Sequence, residues 1–262
     1  MTFKNWKNIL AFILLMGLCQ PILAQEKQTS LRVLTYNIRF GELASLQELG
    51  EYIKKLDPDI VALQEVDINT VRERASHQNN KNFIAELGYY TGMFSSFAKA
   101  IPYRGGWYGV GVLSKYPIMA THTYPLPYPE GSKEQRVLQI AKIEIEPSKE
   151  IIVANTHLDY PNSEVRQEQV KFINKKLQNV KEPKLFFGDF NAYPSSIEIK
   201  KGMGEWLDIS GTDPTVPVKK PKNKIDYIFA YPKQKWEKKY SETLQGVDLS
   251  DHLPILVEVG LK

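Results

Sequence analysis

The sequence predicts one globular domain in which β-sheets are covered by helices, an α/β or α+β sandwich. Three observations carry this: many short runs rich in β-branched and aromatic residues, a few segments with apolar residues at helical spacing, and no linker or internal repeat to divide the chain. Composition agrees, since 262 residues with 42% hydrophobic and 24% charged side chains exclude a disordered or fibrous chain. In chain order the strand-like runs are 31–38, 60–64, 110–113, 137–145, 151–155, 185–187, 225–230 and 255–259. Leu46, Leu49, Ile53 and Leu56 repeat at helical spacing until Asp57-Pro58 stops the helix. Val165, Phe172, Ile173 and Leu177 mark a second amphipathic helix that opens at Asn162-Ser163. Segments 96–108, 121–135 and 190–224, rich in Gly, Pro and Tyr, read as loops.

The N-terminus reads as a secretory signal peptide over residues 1–24, with residues 25–262 as the mature domain. Lys4 and Lys7 precede the apolar run 9–18, and Ala24 offers a small residue at the cleavage point. That run is shorter than the roughly 20 apolar residues a membrane span needs, so a retained anchor is the lesser reading. Leu18 before Cys19 argues against a lipoprotein site. Cleavage would remove the only cysteine and with it any disulfide or thiol nucleophile, and a secreted or periplasmic location follows. Lys plus Arg then falls from 34 to 32 against 30 acids, a net charge of +2. A strongly basic nucleic-acid binder is not expected from that balance. The basic runs 219–224 and 233–239 read as solvated loops.

The informative pattern is polar residues gathered at strand ends. Asn37 closes the first strand, Glu65 the second, and His157 with Asp159 a third. Asp189 and Asn191 follow Phe186-Phe187-Gly188, Asp226 opens Ile225-Asp226-Tyr227-Ile228, and Ser250-Asp251-His252 precedes the last strand. Singly, each fits a turn or a solvated end. Together they resemble a site, because a strand end fixes the backbone while the following loop leaves the side chain exposed. Asn37, Glu65, Asp189 and Asp251 form an oxygen-rich, cysteine-free set of the kind a hard cation such as Mg²⁺ takes, and zinc is less well served.

With Thr35-Tyr36-Asn37, Leu63-Gln64-Glu65, Gly111-Val112-Leu113-Ser114, Thr156-His157-Leu158, Gly188-Asp189-Phe190-Asn191, Ile225-Asp226-Tyr227 and Ser250-Asp251-His252 in this order, the chain resembles the endonuclease/exonuclease/phosphatase superfamily of DNase I-like fold. The resemblance runs from about Leu31 to Val259. It implies a four-layer sandwich, two packed sheets flanked by helices, with the active site in a cleft at one sheet edge. It implies Glu65 as principal metal ligand supported by Asn37 and Asp251, Mg²⁺ as cofactor with Mn²⁺ or Ca²⁺ as substitutes, and Asp189 as the group that orients or deprotonates water. It further implies that Asn191 bonds a phosphate oxygen, Asp226 orients His252, and His157 serves the leaving group as donor or general acid.

Substrate is less legible. The expected function is secreted phosphodiester or phosphomonoester hydrolysis by a monomer acting on a small or lipid-linked phosphoester. A DNase I-like nuclease is the alternative, and a non-catalytic binding module on the same scaffold a third. The module is disfavoured because Glu65, Asp189, Asn191, Asp226 and His252 are all present. Arg104, Tyr108, Arg136, Asp159 and Arg166 are candidate substrate contacts, with a surface salt bridge the ordinary fate of either Arg136 or Arg166.

Overall fold

A computed structural model describes residues 29–262, so the leader assigned to residues 1–24 lies outside the described residues. Two mixed six-stranded sheets pack face to face. The first orders β11 (Trp236–Thr243), β12 (Ile255–Leu261), β1 (Thr29–Asn37), β2 (Ile60–Ile68), β4 (Gly106–Ser114) and β3 (Phe94–Tyr103). The second orders β5 (Ile118–Pro125), β6 (Val137–Glu146), β7 (Lys149–His157), β8 (Lys184–Asp189), β10 (Asp226–Tyr231) and β9 (Leu207–Asp208). Among the described residues only β1–β2 and β7–β8 pair in parallel. The result is the α+β sandwich that the sequence predicts.

Period-two alternation explains the layering. Leu31 and Val33 of β1 join Ile60, Ala62, Val153 and Phe187 in the core between the sheets. Leu34 and Tyr36, one residue out of phase, face the outer core with α1 (Leu46–Leu56) and α2 (Phe83–Thr91). On the far side α3 (Ser163–Gln178) lays Val170, Ile173 and Leu177 on Phe186 and Phe229. Helix α1 starts in a capping box, the Ser45 hydroxyl accepting from the Glu48 N–H while the Glu48 carboxylate accepts from the Ser45 N–H. It ends at Asp57, left-handed at φ 52°, just before Pro58.

Three expectations are corrected. Residues 96–108 are mostly the β3–β4 hairpin, 121–125 belong to β5, and 236–239 of the second basic run belong to β11. Strands β3, β5 and β11 are edge strands of their sheets, and β5 is exposed almost throughout, so none of the three carries the alternation that marks a half-buried strand. Helix α2 also escaped the sequence reading.

One polar network breaks the apolar rule between the sheets. Gln64 and Asn155 are fully buried; Gln64 Nε2 donates to Asn155 Oδ1 at 2.8 Å, and Asn155 Nδ2 donates to the Leu63 and Gly111 carbonyls at 3.0 and 2.9 Å. Asn155 lies on β7 and its partners on β2 and β4, so the network fixes one sheet against the other one residue short of Glu65. Asn155→Leu strands buried donors and acceptors and should cost about 2–4 kcal/mol. Urea unfolding checks this, and a change under about 0.5 kcal/mol would contradict it.

Candidate active site

Every strand end carrying a predicted site residue faces one edge of the sandwich. Asp226 stands opposite Asp189 in the antiparallel β8–β10 register, and His157 beside Asp189 in the parallel β7–β8 register. The turn before β12 is drawn against β1 by the Ser250 hydroxyl, which donates to the Asn37 carbonyl at 2.7 Å.

Glu65 owes its aim to a β-bulge. The β2–β4 ladder skips it, Gln64 facing Val110 and Val66 facing Gly109. Its backbone is left-handed at φ 57°, a conformation that costs a non-glycine residue about 1–3 kcal/mol. Asn37 Nδ2 donates to Glu65 Oε1 at 3.0 Å and to Asp189 Oδ2 at 3.1 Å, joining the two sheets across the cleft. Its Oδ1 accepts from the Arg39 N–H, which fixes the amide orientation because a backbone N–H can only donate. Asn37 therefore serves here as a donor to two carboxylates and does not turn its oxygen toward them. Burial holds the Glu65 carboxyl above the usual range, against the pull of Asn37 and His252.

Asp189 is the hub. Gly188 before it is required by close approach, since a Cβ there would sit 2.6 Å from the Thr156 carbonyl. Asp189 Oδ1 accepts from the Asn191 N–H at 2.9 Å, and Oδ2 lies 3.5 Å from His157 Nε2 and 3.7 Å from His252 Nε2. Burial and the neighbouring Asp226 push its carboxyl up to about 7. Asp226 Oδ2 lies 2.9 Å from His252 Nδ1 and also accepts from the Thr215 hydroxyl. The two imidazoles sit in opposite states. Burial opposes a charge on His252, but Asp226, Asp189 and Asp251 overcome it and lift the group to about 10. Burial, with Arg136 and His252 adding to it, drives His157 well below its ordinary value, so His157 is neutral. Carboxylate and imidazole environments pushed apart in this way mark acid and base roles. Among the described residues, Asp189, Asp226 and His252 bring ligand atoms within 4.8 Å of one another.

The remaining predicted residues divide. Asp251 is held by the guanidinium of Arg39, which the sequence reading did not single out. Asn191 sits at φ 47°, with its side chain donating to the Leu158 carbonyl at 2.9 Å. Tyr108 and Arg136 are buried beside His157, and Arg136 pairs at 2.9 Å with the half-buried Glu134. Asp159 does not reach the cluster; its carboxylate accepts from the Lys133 N–H at 2.6 Å and holds the 133–134 loop. Arg166 is likewise occupied, bonding Glu198 at 2.9 Å and the Tyr160 carbonyl at 2.7 Å. Arg104 stands exposed at the tip of the β3–β4 hairpin, 3.9 Å from Glu73.

The Endonuclease/Exonuclease/phosphatase family model matches residues 34–252, an interval that contains every one of these clustered groups. The chain belongs to the endonuclease/exonuclease/phosphatase family. Membership makes it a phosphoester hydrolase of the nuclease and phosphatase type, in a family generally dependent on divalent metal. Solved structures agree on the fold. An endonuclease/exonuclease/phosphatase from Beutenbergia cavernae aligns at TM-score 0.72 and 21% identity over 88% of this chain and 72% of its own. The human nocturnin catalytic domain with bound sulfate aligns at 0.69 and 18% over 90% and 98%, and a Bacteroides thetaiotaomicron mannosyl-6-phosphatase at 0.69 and 16% over 87% and 99%. Comparison with curated protein sequences gives no significant match. No helix among the described residues is long and apolar enough to cross a membrane.

Thr215 is a positioning residue that sequence reasoning missed. Its hydroxyl holds Asp226 while its carbonyl accepts from the Leu253 N–H at 2.8 Å, so one residue grips Asp226 itself and the residue next to His252. Thr215→Val should lower kcat about 10-fold at little-changed KM, the size expected for losing a hydrogen bond to a charged group, and Thr215→Ser should restore it. Equal loss in both variants would contradict this. In metal-free protein the imidazolium of His252 supports folding fully below its unfolded value of 6.5, and that support is lost as pH rises through about 10. Urea midpoints should therefore fall more between pH 7.5 and 10 for the wild type than for His252→Gln; parallel curves would contradict it.

Proposed function

We propose that the protein is an exported, Mg²⁺-dependent phosphoester hydrolase that cleaves a small or lipid-linked phosphoester by direct attack of water, without a covalent intermediate. The observation that carries this reading is Asp189, a buried carboxyl lifted to about 7 and set between a neutral and a cationic imidazole. At neutral pH such a group exchanges a proton readily, which is what orienting and deprotonating water requires.

The donor set fits a hard divalent cation. Glu65 is a carboxylate held above its usual range by burial, with an amide as its hydrogen-bond partner, and Asp189 and Asp251 add oxygens nearby. Glu65 would hold Mg²⁺ with support from Asp251, and the bound ion would polarise a phosphoryl oxygen and neutralise charge developing on it. The chain's own groups do the rest. The His252 imidazolium, oriented through Nδ1 by Asp226, presents Nε2 to a phosphoryl oxygen. Asp189 accepts the proton of the attacking water. Neutral His157 suits hydrogen-bond donation to the leaving oxygen better than general-acid catalysis. Arg136 and Tyr108, which line one small cavity with His157, are the donors we assign to a second phosphoryl oxygen.

The net charge of +2 expected after cleavage supports a small or lipid-linked substrate over a nucleic acid, whose affinity rests on many phosphate contacts. Tyr160 and Tyr193, which follow the ends of β7 and β8 and are each 54% exposed, give rings on which a sugar or an alkyl group can rest. Turnover with Mg²⁺ on bis-nitrophenyl phosphate, nitrophenyl phosphate, single- and double-stranded DNA, inositol phosphates and phospholipids tests the reading. Hydrolysis of small or lipid phosphoesters well above DNA is expected; DNA as best substrate would overturn it in favour of a nuclease.

A further inference from the structure

A groove of about 640 Å³ runs along the outer face of the second sheet, between α3 and the segment 197–206. Its size is that of a small-molecule site. None of the catalytic candidates lines it. One wall is a single π-helical turn, Glu198–Gly202, a rare conformation that recurs at functional sites. Gly202 lets this turn close on the helix, since a Cβ there would lie 2.7 Å from Val170 Cγ1.

The polar groups inside the groove are satisfied by one another. Trp206 Nε1 donates to Asn174 Oδ1 at 2.8 Å, and Asn174 Nδ2 donates to the Gly202 carbonyl at 2.7 Å. An entering molecule therefore meets the apolar surfaces of Ile197, Trp206 and Tyr231. The rim is cationic. Lys171, Lys175 and Lys201 line the groove exposed, and among the described residues none has a carboxylate within 4.0 Å. Lys171 and Lys175 stand one turn apart on the same helix face. Of the two lining acids, Glu198 is neutralised by Arg166, which leaves Glu205 against three lysines.

We propose that this groove binds a small single-chain anionic amphiphile, its tail on Ile197, Trp206 and Tyr231 and its acid head on Lys171, Lys175 and Lys201. Charge complementarity selects the sign of the head, and the apolar floor beneath unpaired ammonium groups selects a molecule with both parts.

Calorimetric titration of the full-length protein with sodium decanoate below its micelle concentration tests this. Saturable binding is expected, weakened at least 10-fold by the triple variant Lys171→Glu, Lys175→Glu, Lys201→Glu, and again by Ile197→Asp, which makes the floor polar. The lysines are exposed and Ile197 is 41% exposed, so both variants should fold, which circular dichroism verifies. Decyltrimethylammonium should bind at least 10-fold more weakly than decanoate, and phosphoester turnover without amphiphile should match the wild type in both variants. Absence of saturable decanoate binding, equal binding by the triple variant, or equal binding of the cationic probe would overturn the proposal. So would binding only to vesicles containing anionic phospholipid, which would mean a membrane-facing surface.

Discussion

Glu65→Gln should reduce Mg²⁺-supported turnover by about 10³-fold or more while the folded protein becomes no less stable. The loss corresponds to the several kcal/mol that a metal contributes to charge stabilisation at a phosphoryl group. The stability expectation follows from burial. Glu65 is held above its usual range chiefly because burial disfavours its charge, so a neutral isostere removes that cost. Glutamine keeps the oxygen that accepts from Asn37. It also keeps the left-handed backbone, so the bulge is unchanged. Kinetics at fixed Mg²⁺ together with thermal melts in EDTA check both halves. Full turnover by the variant, or wild-type turnover in excess EDTA, would end the metal-hydrolase reading.

The second large effect concerns the Asp226–His252 pair. His252→Ala should lower kcat by about 10²- to 10⁴-fold, the range for a positioned acid or base. Asp226→Asn should cost less, because the imidazole stays in place but loses the carboxylate that lifts it to about 10. The alkaline limb of the rate profile should move to lower pH in Asp226→Asn for the same reason. The double variant should lose little more than His252→Ala alone, since the two act as a unit. Multiplicative losses in the double variant, or an unmoved alkaline limb, would show that Asp226 does not act through His252.

What was legible in the sequence was the inner part of each sheet and the chemistry at its end. Residues 31–38 and 185–187 announce themselves because both faces of these strands are covered, and the polar residue that ends each run has no reason to follow so apolar a stretch unless it serves a site. Strands β3, β5 and β11 were illegible because edge strands exposed to solvent carry mixed residues. Thr215 was illegible for another reason: it lies in an irregular stretch, and its importance comes from Asp226 and Leu253, distant enough in sequence that no spacing betrays it. The partners of Asp159 and Arg166 inside the chain were not legible either, because the Lys133 N–H and Glu198 that hold them lie 26 and 32 residues away in sequence. Asn155, the last residue of the run 151–155, was not singled out and is a buried core residue.

The link between Gln64 and Asn155 bears on how such a molecule can diversify. By keying the sheets together directly beneath the cleft, it makes the spacing between Glu65 on one and Asp189 on the other a property of the interior. The hairpin tip at Arg104 and the stretches beyond Asp159 and Asn191 are then free to lengthen, shorten or change character without disturbing the distance between the reacting groups. Specificity can drift on the periphery while the reaction stays anchored.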